Sequence, residues 1–347
     1  MKIKKKVIAN LNKCYSIAPL TYNGTDYFLV AAEKEDPCLL FDMEGRQKDI
    51  VWEKPGGVMS MVQVPGSNGV FLATHKFYSP NDSKDAEIVV ASPKEHGGWD
   101  IRTLVRLPHV HRFDIVLRNG VKYLIACTLK SGHEFRDDWS CAGKVYAAVL
   151  PDDLSQYSGE NQLKLDVIKD EMPKNHGYYK IMEDGVYSCL ISCEKGVYVF
   201  TPPEQGEKWG IRQLINEPAS DAVLVDLDGD GEKELIVISP FHGNNIEFYK
   251  KIENEYKKIY NYGEADFAHA IYGGTLMGEK AVVIGHRQGE RNLLVFMWDD
   301  QHKTYRTEII DHNCGPANVF KFEYNGAEVM VSTNREIDEI AMYTFEK

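Results

Sequence analysis

The 347-residue sequence lacks several features that would assign it to a common functional class. No apolar stretch approaches the roughly 20 residues that a membrane-spanning helix requires, so no span is predicted. Basic residues are in the minority, with 40 Lys and Arg against 52 Asp and Glu, and the formal net charge of -12 argues against general nucleic-acid binding. Long stretches of helical periodicity are also absent, which favours an all-β fold.

Familiar catalytic motifs are missing as well. There is no Gly-x-Ser-x-Gly elbow, no P-loop and no dinucleotide fingerprint, so acyl transfer, phosphoryl transfer and nicotinamide chemistry have no support in the sequence. The seven cysteines are an odd number without the pairing of a zinc site, and they are interpreted as reduced thiols. Because no apolar run of signal-peptide length follows the basic start, a cytoplasmic location is expected.

What the sequence does contain is a repeated turn. A tight, glycine-containing turn joins two short apolar runs at intervals of roughly 45 to 65 residues, and a repeat of that length is typical of propellers and solenoids. The seven turns are Asn23-Gly24, Asn68-Gly69, Asn119-Gly120, Asp184-Gly185, Asp230-Gly231, Gly278-Glu279 and Asn325-Gly326. Apolar and polar side chains alternate beside each turn, which indicates strands.

Each repeat is interpreted as four strands, but the last one stops after three, at Ile340–Phe345. The N-terminus offers an unpaired strand at Lys5–Asn10, and pairing the two would close a ring and remove two exposed sheet edges. We therefore predict an all-β fold, a seven-bladed β-propeller of four-stranded antiparallel blades that forms one domain over residues 1–347. The polar insertion around Leu154–Lys174 is expected to decorate the third blade.

The fifth turn lies in an acidic loop, residues 226–234. Oxygen-bearing side chains occupy alternate positions and glycines permit a sharp turn, which suits calcium, a hard cation that takes six to eight oxygen ligands. The predicted ligands are Asp226, Asp228, Asp230 and Glu234. The ion is interpreted as structural, since it would tie a hairpin between two strands; an acidic hairpin without an ion is the alternative.

This loop resembles the metal loops of the FG-GAP/VCBS family of β-propeller repeats, which read Asp-x-Asp-Gly-Asp-Gly-x-x-Asp, with Glu234 in place of the final Asp. Further segments are similar to a narrower group, the propeller domain of aldos-2-ulose dehydratase/isomerase-like proteins. These segments are Pro240–Asn245, Ala268–Ala270, Gly285–Arg287 and residues 311–318. The resemblance covers about residues 219–347, and it implies a metal-dependent enzyme that acts on keto sugars.

Histidine recurs at one position of the repeats. The residue nine positions before the hairpin glycine, at the start of the innermost strand, is His111, His176 or His269 in three of them. Because innermost strands surround the central channel, these rings are predicted to converge on a divalent transition metal such as zinc, manganese or iron through neutral ring nitrogens. The alternative is three polar residues that line a wet channel and are hydrogen-bonded to their neighbours.

The loops between the second and third strands of each blade reach the same face. They carry His242, His286, Arg287 and Arg335. Such a mouth suits an anionic or oxygen-rich small ligand, because arginine binds carboxylates with paired donors. With a metal polarising a carbonyl, His242 or His286 is predicted to act as general base, and Arg287 and Arg335 to orient the substrate and stabilise enolate-like charge.

Together these features predict a metal-dependent lyase, dehydratase or isomerase that acts on a keto sugar or sugar acid. The reaction would be proton abstraction next to a carbonyl, followed by β-elimination or by return of the proton elsewhere. Two alternatives stay open: a non-catalytic propeller that binds a carbohydrate or a partner, and a glycoside hydrolase with two carboxylates. Glu33, Glu194 and Asp221 are the candidate carboxylates. The sequence leaves the oligomeric state undetermined.

Overall fold

The computed structural model describes residues 2–135, 137–204 and 207–346. Within these ranges the chain forms seven four-stranded antiparallel sheets, and the only helix is a single 3-10 turn at Arg335–Ile337. Each sheet is one blade of a closed ring, so the predicted seven-bladed β-propeller is confirmed. No helix in the described part of the chain is long and apolar enough to cross a membrane.

The strands are numbered along the chain, beginning with β1 (Lys2–Asn10). Blade 1 contains β2 (Cys14–Tyr22), β3 (Thr25–Ala32), β4 (Cys38–Asp42) and β5 (Gln47–Trp52), and blade 2 contains β6 (Met61–Gln63), β7 (Phe71–His75), β8 (Glu87–Pro93) and β9 (Trp99–Arg106). Blade 3 contains β10 (Val110–Arg118), β11 (Val121–Thr128), β12 (Gly143–Val149) and β13 (Asp166–Met172), and blade 4 contains β14 (Gly177–Glu183), β15 (Val186–Cys193), β16 (Gly196–Thr201) and β17 (Gly210–Ile215).

Blade 5 contains β18 (Asp221–Val225), β19 (Glu234–Ser239), β20 (Asn245–Ile252) and β21 (Glu255–Tyr262). Blade 6 contains β22 (Ala268–Leu276), β23 (Glu279–His286), β24 (Leu293–Asp299) and β25 (Thr304–Asp311). Blade 7 contains β26 (Asn318–Tyr324), β27 (Ala327–Asn334) and β28 (Glu339–Glu346).

The last blade is completed by the first strand of the chain. Strand β1 pairs antiparallel with β28, from Lys2 opposite Glu346 to Asn10 opposite Glu339. Ile3 and Ile8 pack against the buried clusters of the last blade and its neighbours. The predicted closure of the ring by both termini is therefore confirmed.

The hairpin turns lie at residue pairs that adopt positive φ angles. Asn119 and Gly120 have φ angles of 50° and 79°, the positive values that a two-residue hairpin turn of type I′ requires. In blade 6 the central pair is Met277 and Gly278, with φ angles of 56° and 82°, and β23 begins at Glu279. The sixth turn was thus predicted one residue too late, because methionine rarely adopts this conformation and gives no turn signal.

The polar insertion in blade 3 is part of the blade. Its C-terminal portion forms β13 (Asp166–Met172), which pairs with β12 as the outermost strand. Most side chains of β13 are exposed or half-buried. An outermost strand with so little burial carries no apolar alternation, and for this reason the sequence pattern did not predict it.

Seven innermost strands, β2, β6, β10, β14, β18, β22 and β26, contact one another in sequence around the axis. Each begins on one face of the ring, called here the loop face, where the connections between blades and the loops between second and third strands lie. Each ends at the opposite hairpin face. Side chains at the starts of these strands therefore meet around the channel near the loop face.

Candidate metal centre and channel

Three histidines from consecutive blades meet at the axis. His176 directly precedes β14, His269 is the second residue of β22, and His242 lies in the loop between β19 and β20. One ring nitrogen from each lies within 4.8 Å of the other two, and the Nε2 atoms of His176 and His242 are 3.2 Å apart. The rings of His176 and His269 are buried and that of His242 is half-buried.

Two of these rings are oriented by hydrogen bonds from their outer nitrogens. His176 Nδ1 lies 2.7 Å from Asp221 Oδ2, and His269 Nδ1 lies 2.7 Å from the carbonyl oxygen of Ala317. Because both partners are acceptors, Nδ1 carries the proton and Nε2 keeps its lone pair. Metal-binding histidines commonly use a carboxylate or a backbone carbonyl in this way.

The third ring is held by stacking. His242 lies between Phe241 and Phe267, with ring centroids at 3.9 and 4.3 Å and both pairs stacked at 25°. A cation covers each end of this stack: the Arg287 guanidinium carbon is 4.7 Å from the Phe267 ring, and Lys174 Nζ is 5.5 Å from the Phe241 ring. Packing therefore fixes the plane of His242, whose Nε2 approaches His176.

The environment keeps the imidazoles of His242 and His269 neutral. Burial lowers the pKa of His242 well below its usual value, and the neighbouring His176 ring and the Arg287 charge lower it further. Burial and the Arg287 charge likewise lower the pKa of His269 well below the usual range. Neutral rings retain the lone pairs that bind a cation.

The donor set fits a transition metal. Ligand bonds of about 2.0 to 2.1 Å at tetrahedral angles place two nitrogens roughly 3.3 Å apart, close to the separation between His176 and His242. At present the Tyr15 hydroxyl donates to His269 Nε2 at 2.9 Å, so it occupies the lone pair that a metal would use. Three imidazole nitrogens suit zinc, manganese or iron better than calcium or magnesium.

His111, predicted as the third ligand, stands beside the centre instead of in it. Its ring centroid is 4.4 Å from that of His176, and its Nδ1 donates to the carbonyl oxygen of His176 at 3.1 Å. His111 thus supports the backbone that carries His176, and His242, predicted as the general base, takes the third position of the cluster.

Two of the three histidines predicted from the repeat register, His111 and His269, lie at β-bulges. Register shifts place Tyr15, His111 and His269 at the extra residue of β2, β10 and β22, respectively. Bulges redirect a side chain and occur beside active sites. Tyr15 occupies the same position in blade 1 as His111 and His269 do in theirs, so the register of the repeats is the signal by which it could have been identified.

His286 lies apart from the cluster. Its Nδ1 donates to the carbonyl oxygen of Gln288 at 3.0 Å, and its Nε2 accepts from the backbone N–H of Asn292 at 3.0 Å. Both nitrogens hold the loop between β23 and β24 together, so neither is available as the predicted general base.

The two rim arginines are neutralised by acidic neighbours. Arg287 Nη2 lies 2.8 Å from Glu336 Oε1, and Arg335 contacts both Glu33 and Glu336. These four residues form an alternating chain of charges, and neither arginine lines the channel cavity. Their positions do not support the predicted role of orienting a substrate there.

The channel contains a cavity of about 590 Å³. It extends from His269 and Asp221 near the loop face to Gln63, at the end of β6, towards the hairpin face. Its wall is lined by the aromatic or apolar residues Ile17, Pro19, Met59, Met61, Val62, Phe113, Tyr178, Tyr179, Ile271 and Phe320 and by the polar residues Ser16, Ser60, Gln63, Arg112, Asp114, Lys180, Asp221, His269 and Asn318. His269 is thus the member of the histidine cluster that reaches this cavity, which has the size that small-molecule ligands occupy.

The candidate carboxylates of a glycosidase are each bound to a basic group. Glu33 contacts Arg335, Glu194 Oε1 lies 2.8 Å from Lys174 Nζ, and Asp221 is bonded to His176. Only Asp221 among these three lines the cavity. A pair of facing carboxylates, as hydrolysis requires, is not formed by them.

In the acidic loop, a lysine ammonium group pairs with the predicted calcium ligands. Oxygens of Asp226, Asp228 and Glu234 lie within 4.8 Å of one another, as the predicted calcium site requires. However, Lys250 Nζ contacts Asp228, lies 2.7 Å from Asp230 Oδ2 and lies 3.6 Å from Glu234 Oε1. Asp226 Oδ1 is buried and has no hydrogen-bond partner among the described residues. A calcium ion would therefore have to displace the ammonium group from part of the loop.

One buried histidine outside the channel makes the stability of the fold sensitive to acid. Burial and the adjacent Lys76 charge lower the pKa of His75 from 6.5 to about 3. Between these values the unfolded chain binds a proton that the native state does not, so stability falls as the pH falls below 6.5. For His75→Gln we expect the loss between pH 7.5 and 5 to be smaller by about 2 kcal/mol.

Urea unfolding at the two pH values measures this difference. His96→Gln, at an exposed position, is the matched control and should behave like the parent protein. An identical pH dependence in the His75→Gln variant and its parent would contradict the assignment.

Comparison by sequence finds neither a matching family model nor a curated relative. Comparison by structure finds virginiamycin B lyase from Staphylococcus aureus, with a TM-score of 0.60 and 14% identity over 99% of this chain and 100% of that one. A streptogramin B lyase matches with a TM-score of 0.57 and 12% identity over 98% and 97% of the two chains. At such low identity these likenesses show the propeller fold alone.

Proposed function

We propose that this propeller is a metal-dependent lyase or isomerase that acts on a carbonyl compound of the keto sugar or sugar acid class. The observation that carries the proposal is the cluster of His176, His242 and His269, of which His269 lines the channel cavity. Oriented imidazoles beside a ligand-sized cavity are the arrangement expected of a catalytic metal site with open positions.

In this proposal the three Nε2 atoms hold the ion, while Asp221 and the Ala317 carbonyl keep the rings of His176 and His269 in place. When bound, the ion would polarise a substrate carbonyl and acidify the neighbouring C–H bond.

Tyr15 is the residue that we assign to proton transfer. Its hydroxyl lies 2.9 Å from His269 Nε2, so it is within reach of a group bound at the centre. Burial raises the pKa of Tyr15 to about 12, and the positive charge of Arg112 acts in the opposite direction. At neutral pH Tyr15 is therefore a phenol, able to donate a proton to a departing oxygen in elimination or to carbon in isomerisation. The proton taken from the substrate carbon would pass to a carboxylate of the cavity wall, Asp221 or Asp114.

Two resemblances support this reaction class. The segments similar to aldos-2-ulose dehydratase/isomerase-like propellers include His242 and His269, two of the three proposed ligands. The two structural neighbours are described as lyases, one of them of virginiamycin B. A sugar acid fits the cavity volume, and the tyrosines and the polar groups of the wall provide apolar faces and hydrogen-bonding partners.

The function is tested by incubating metal-loaded protein with a panel of keto sugars and sugar acids. Elimination gives a conjugated product that is followed by ultraviolet absorbance, and isomerisation is followed by NMR. We expect turnover that needs zinc, manganese or iron and that is abolished in His269→Ala. Binding of the panel without turnover under any metal would favour a carbohydrate-binding propeller and contradict the proposal.

We also propose that the acidic loop binds calcium in competition with Lys250. In Lys250→Met the carboxylates of Asp228, Asp230 and Glu234 lose their ammonium partner, so calcium should bind at least about tenfold more tightly. Calorimetric titration of chelator-treated protein measures this. Lys258→Met, which removes an ion pair with Glu247 outside the loop, is the control. Equal or absent calcium binding in all three proteins would contradict the site.

A further inference from the structure

The channel wall contains one arginine that has no acidic partner among the residues that the structure describes. Arg112, on β10, is half-buried and lines the cavity. Its Nη1 donates to the carbonyl oxygen of Met59 at 2.7 Å, and no ion pair with a carboxylate is found for it in the described part of the chain. The other cation of the wall, Lys180, is neutralised by Asp114, whose Oδ1 lies 3.0 Å from Lys180 Nζ.

Arg112 is also next to the histidine cluster. Its guanidinium carbon is 5.9 Å from the centre of the Tyr15 ring, and the Tyr15 hydroxyl bonds to His269 Nε2 at 2.9 Å. An anion bound by Arg112 would therefore lie beside the proposed proton-transfer residue and near the proposed metal ligands.

The chemistry of this position selects an anion with a planar pair of oxygens. A guanidinium group has five N–H donors in a rigid plane, and the backbone contact with Met59 leaves most of them available. Placing a cation in a partly desolvated wall is costly unless an anion compensates it. A carboxylate matches the guanidinium plane with two parallel hydrogen bonds.

The charge of the wall limits the ligand to a small net charge. The charged groups along the cavity are Arg112, Lys180, Asp114 and Asp221, two of each sign. Because Asp114 pairs with Lys180 and Asp221 accepts a hydrogen bond from His176 Nδ1, Arg112 is the one cation of the described wall that has no carboxylate partner. A monocarboxylate is compensated by this one guanidinium, whereas a phosphate dianion would bring an unmatched charge.

We propose that Arg112 is the carboxylate-binding residue of the channel and that its natural ligand is an oxo acid or a sugar acid, not a neutral keto sugar. This inference rests on the proposed function for the reaction that follows, but the binding step depends on Arg112 alone. It transfers to Arg112 the role that the sequence suggested for Arg287 and Arg335, both of which are neutralised by Glu336.

The test compares ligands that differ only in the carboxylate. Calorimetric titrations would use gluconate against glucitol and pyruvate against acetone. The proteins would be the parent, Arg112→Gln, Arg112→Lys and the exposed control Arg212→Gln, each checked for folding by circular dichroism and thermal melting. We expect the carboxylates to bind the parent and the control. Their affinity for Arg112→Gln should be at least about tenfold weaker, and Arg112→Lys should restore part of this lost affinity.

Several results would overturn the inference. They are equal binding of the neutral partners, unchanged carboxylate binding in a folded Arg112→Gln variant, and no carboxylate binding to the parent up to about 50 mM. Metal-free protein and His176→Ala separate this outcome from that of the proposed function. Arg112-dependent carboxylate binding that persists in both, with no turnover in metal-loaded parent protein, would support the anion site and count only against the lyase. Turnover of neutral keto sugars that is unaffected by Arg112→Gln would support the lyase and count only against the anion site.

Discussion

Replacing His176 by alanine is expected to abolish binding of a transition metal and to lower turnover by at least about 10³-fold, since metal polarisation contributes several kcal/mol to such a reaction. His176 is the residue with the largest expected effect because it links the centre to the protein. Its Nδ1 is bonded to Asp221, and its Nε2 lies 3.2 Å from that of His242. Metal content by elemental analysis and initial rates with the sugar acid panel measure the two effects.

A graded series strengthens this experiment. Asp221→Asn preserves the shape of the acceptor of His176 but removes its charge, so metal affinity should fall by about 10- to 100-fold while the protein stays folded. His96→Ala, at an exposed position outside the channel, should retain metal and turnover. Undiminished metal content and turnover in His176→Ala would show that the histidine cluster is not a catalytic metal centre.

Deleting residues 1–10 is expected to lower the free energy of unfolding by at least about 4 kcal/mol, a large fraction of the stability of an ordinary domain. The deletion removes β1, which pairs with β28 over the whole length from Lys2 to Asn10. It also uncovers the clusters against which Ile3 and Ile8 pack. Urea unfolding followed by tryptophan fluorescence measures the loss, and the open edge of β28 should promote self-association.

Two comparisons separate strand pairing from surface charge. The double variant Lys2→Gln and Lys4→Gln removes exposed ion pairs with Glu346 but keeps the strand, so its stability should change by less than about 1 kcal/mol. A synthetic peptide of residues 1–12 should restore the stability of the truncated protein when added in excess. A truncated protein as stable as the parent would show that β1 does not close the ring in solution.

The architecture could be predicted because its determinants are local. Pairs such as Asn119-Gly120 specify a hairpin without any knowledge of the rest of the chain, and their spacing sets the number of blades. The shortened last repeat then required an additional strand from the N-terminus. Elements without a local signal were missed or displaced: the exposed strand β13 and the turn at Met277-Gly278.

The candidate site was only partly predictable, because its details depend on contacts between residues far apart in sequence. The repeat register correctly indicated which positions begin the innermost strands, and the structure brings His176, His242 and His269 together. Register alone does not show where a side chain finds its partner. His111 bonds to the backbone of His176, and Arg335 is paired with Glu33, more than 300 residues away in sequence.

The sequence did not single out Tyr15 or Arg112, because their roles also depend on contacts between residues far apart in the chain. Tyr15 shares the bulge position of His111 and His269 but is not a usual metal ligand, so the pattern of histidines passed over it. Arg112 directly follows His111, and nothing in the sequence distinguishes it from an ion-paired surface arginine. Its importance appears only when the ion pairs of the whole wall are known, since Lys180 has a carboxylate and Arg112 does not.

Anomalous X-ray diffraction from crystals soaked in zinc or manganese would locate the ion itself. We expect one peak on the channel axis, about 2.0 to 2.2 Å from the Nε2 atoms of His176, His242 and His269, with the Tyr15 hydroxyl displaced from His269. Absence of a peak at this position in fully soaked crystals, with Tyr15 still bonded to His269, would contradict this expectation.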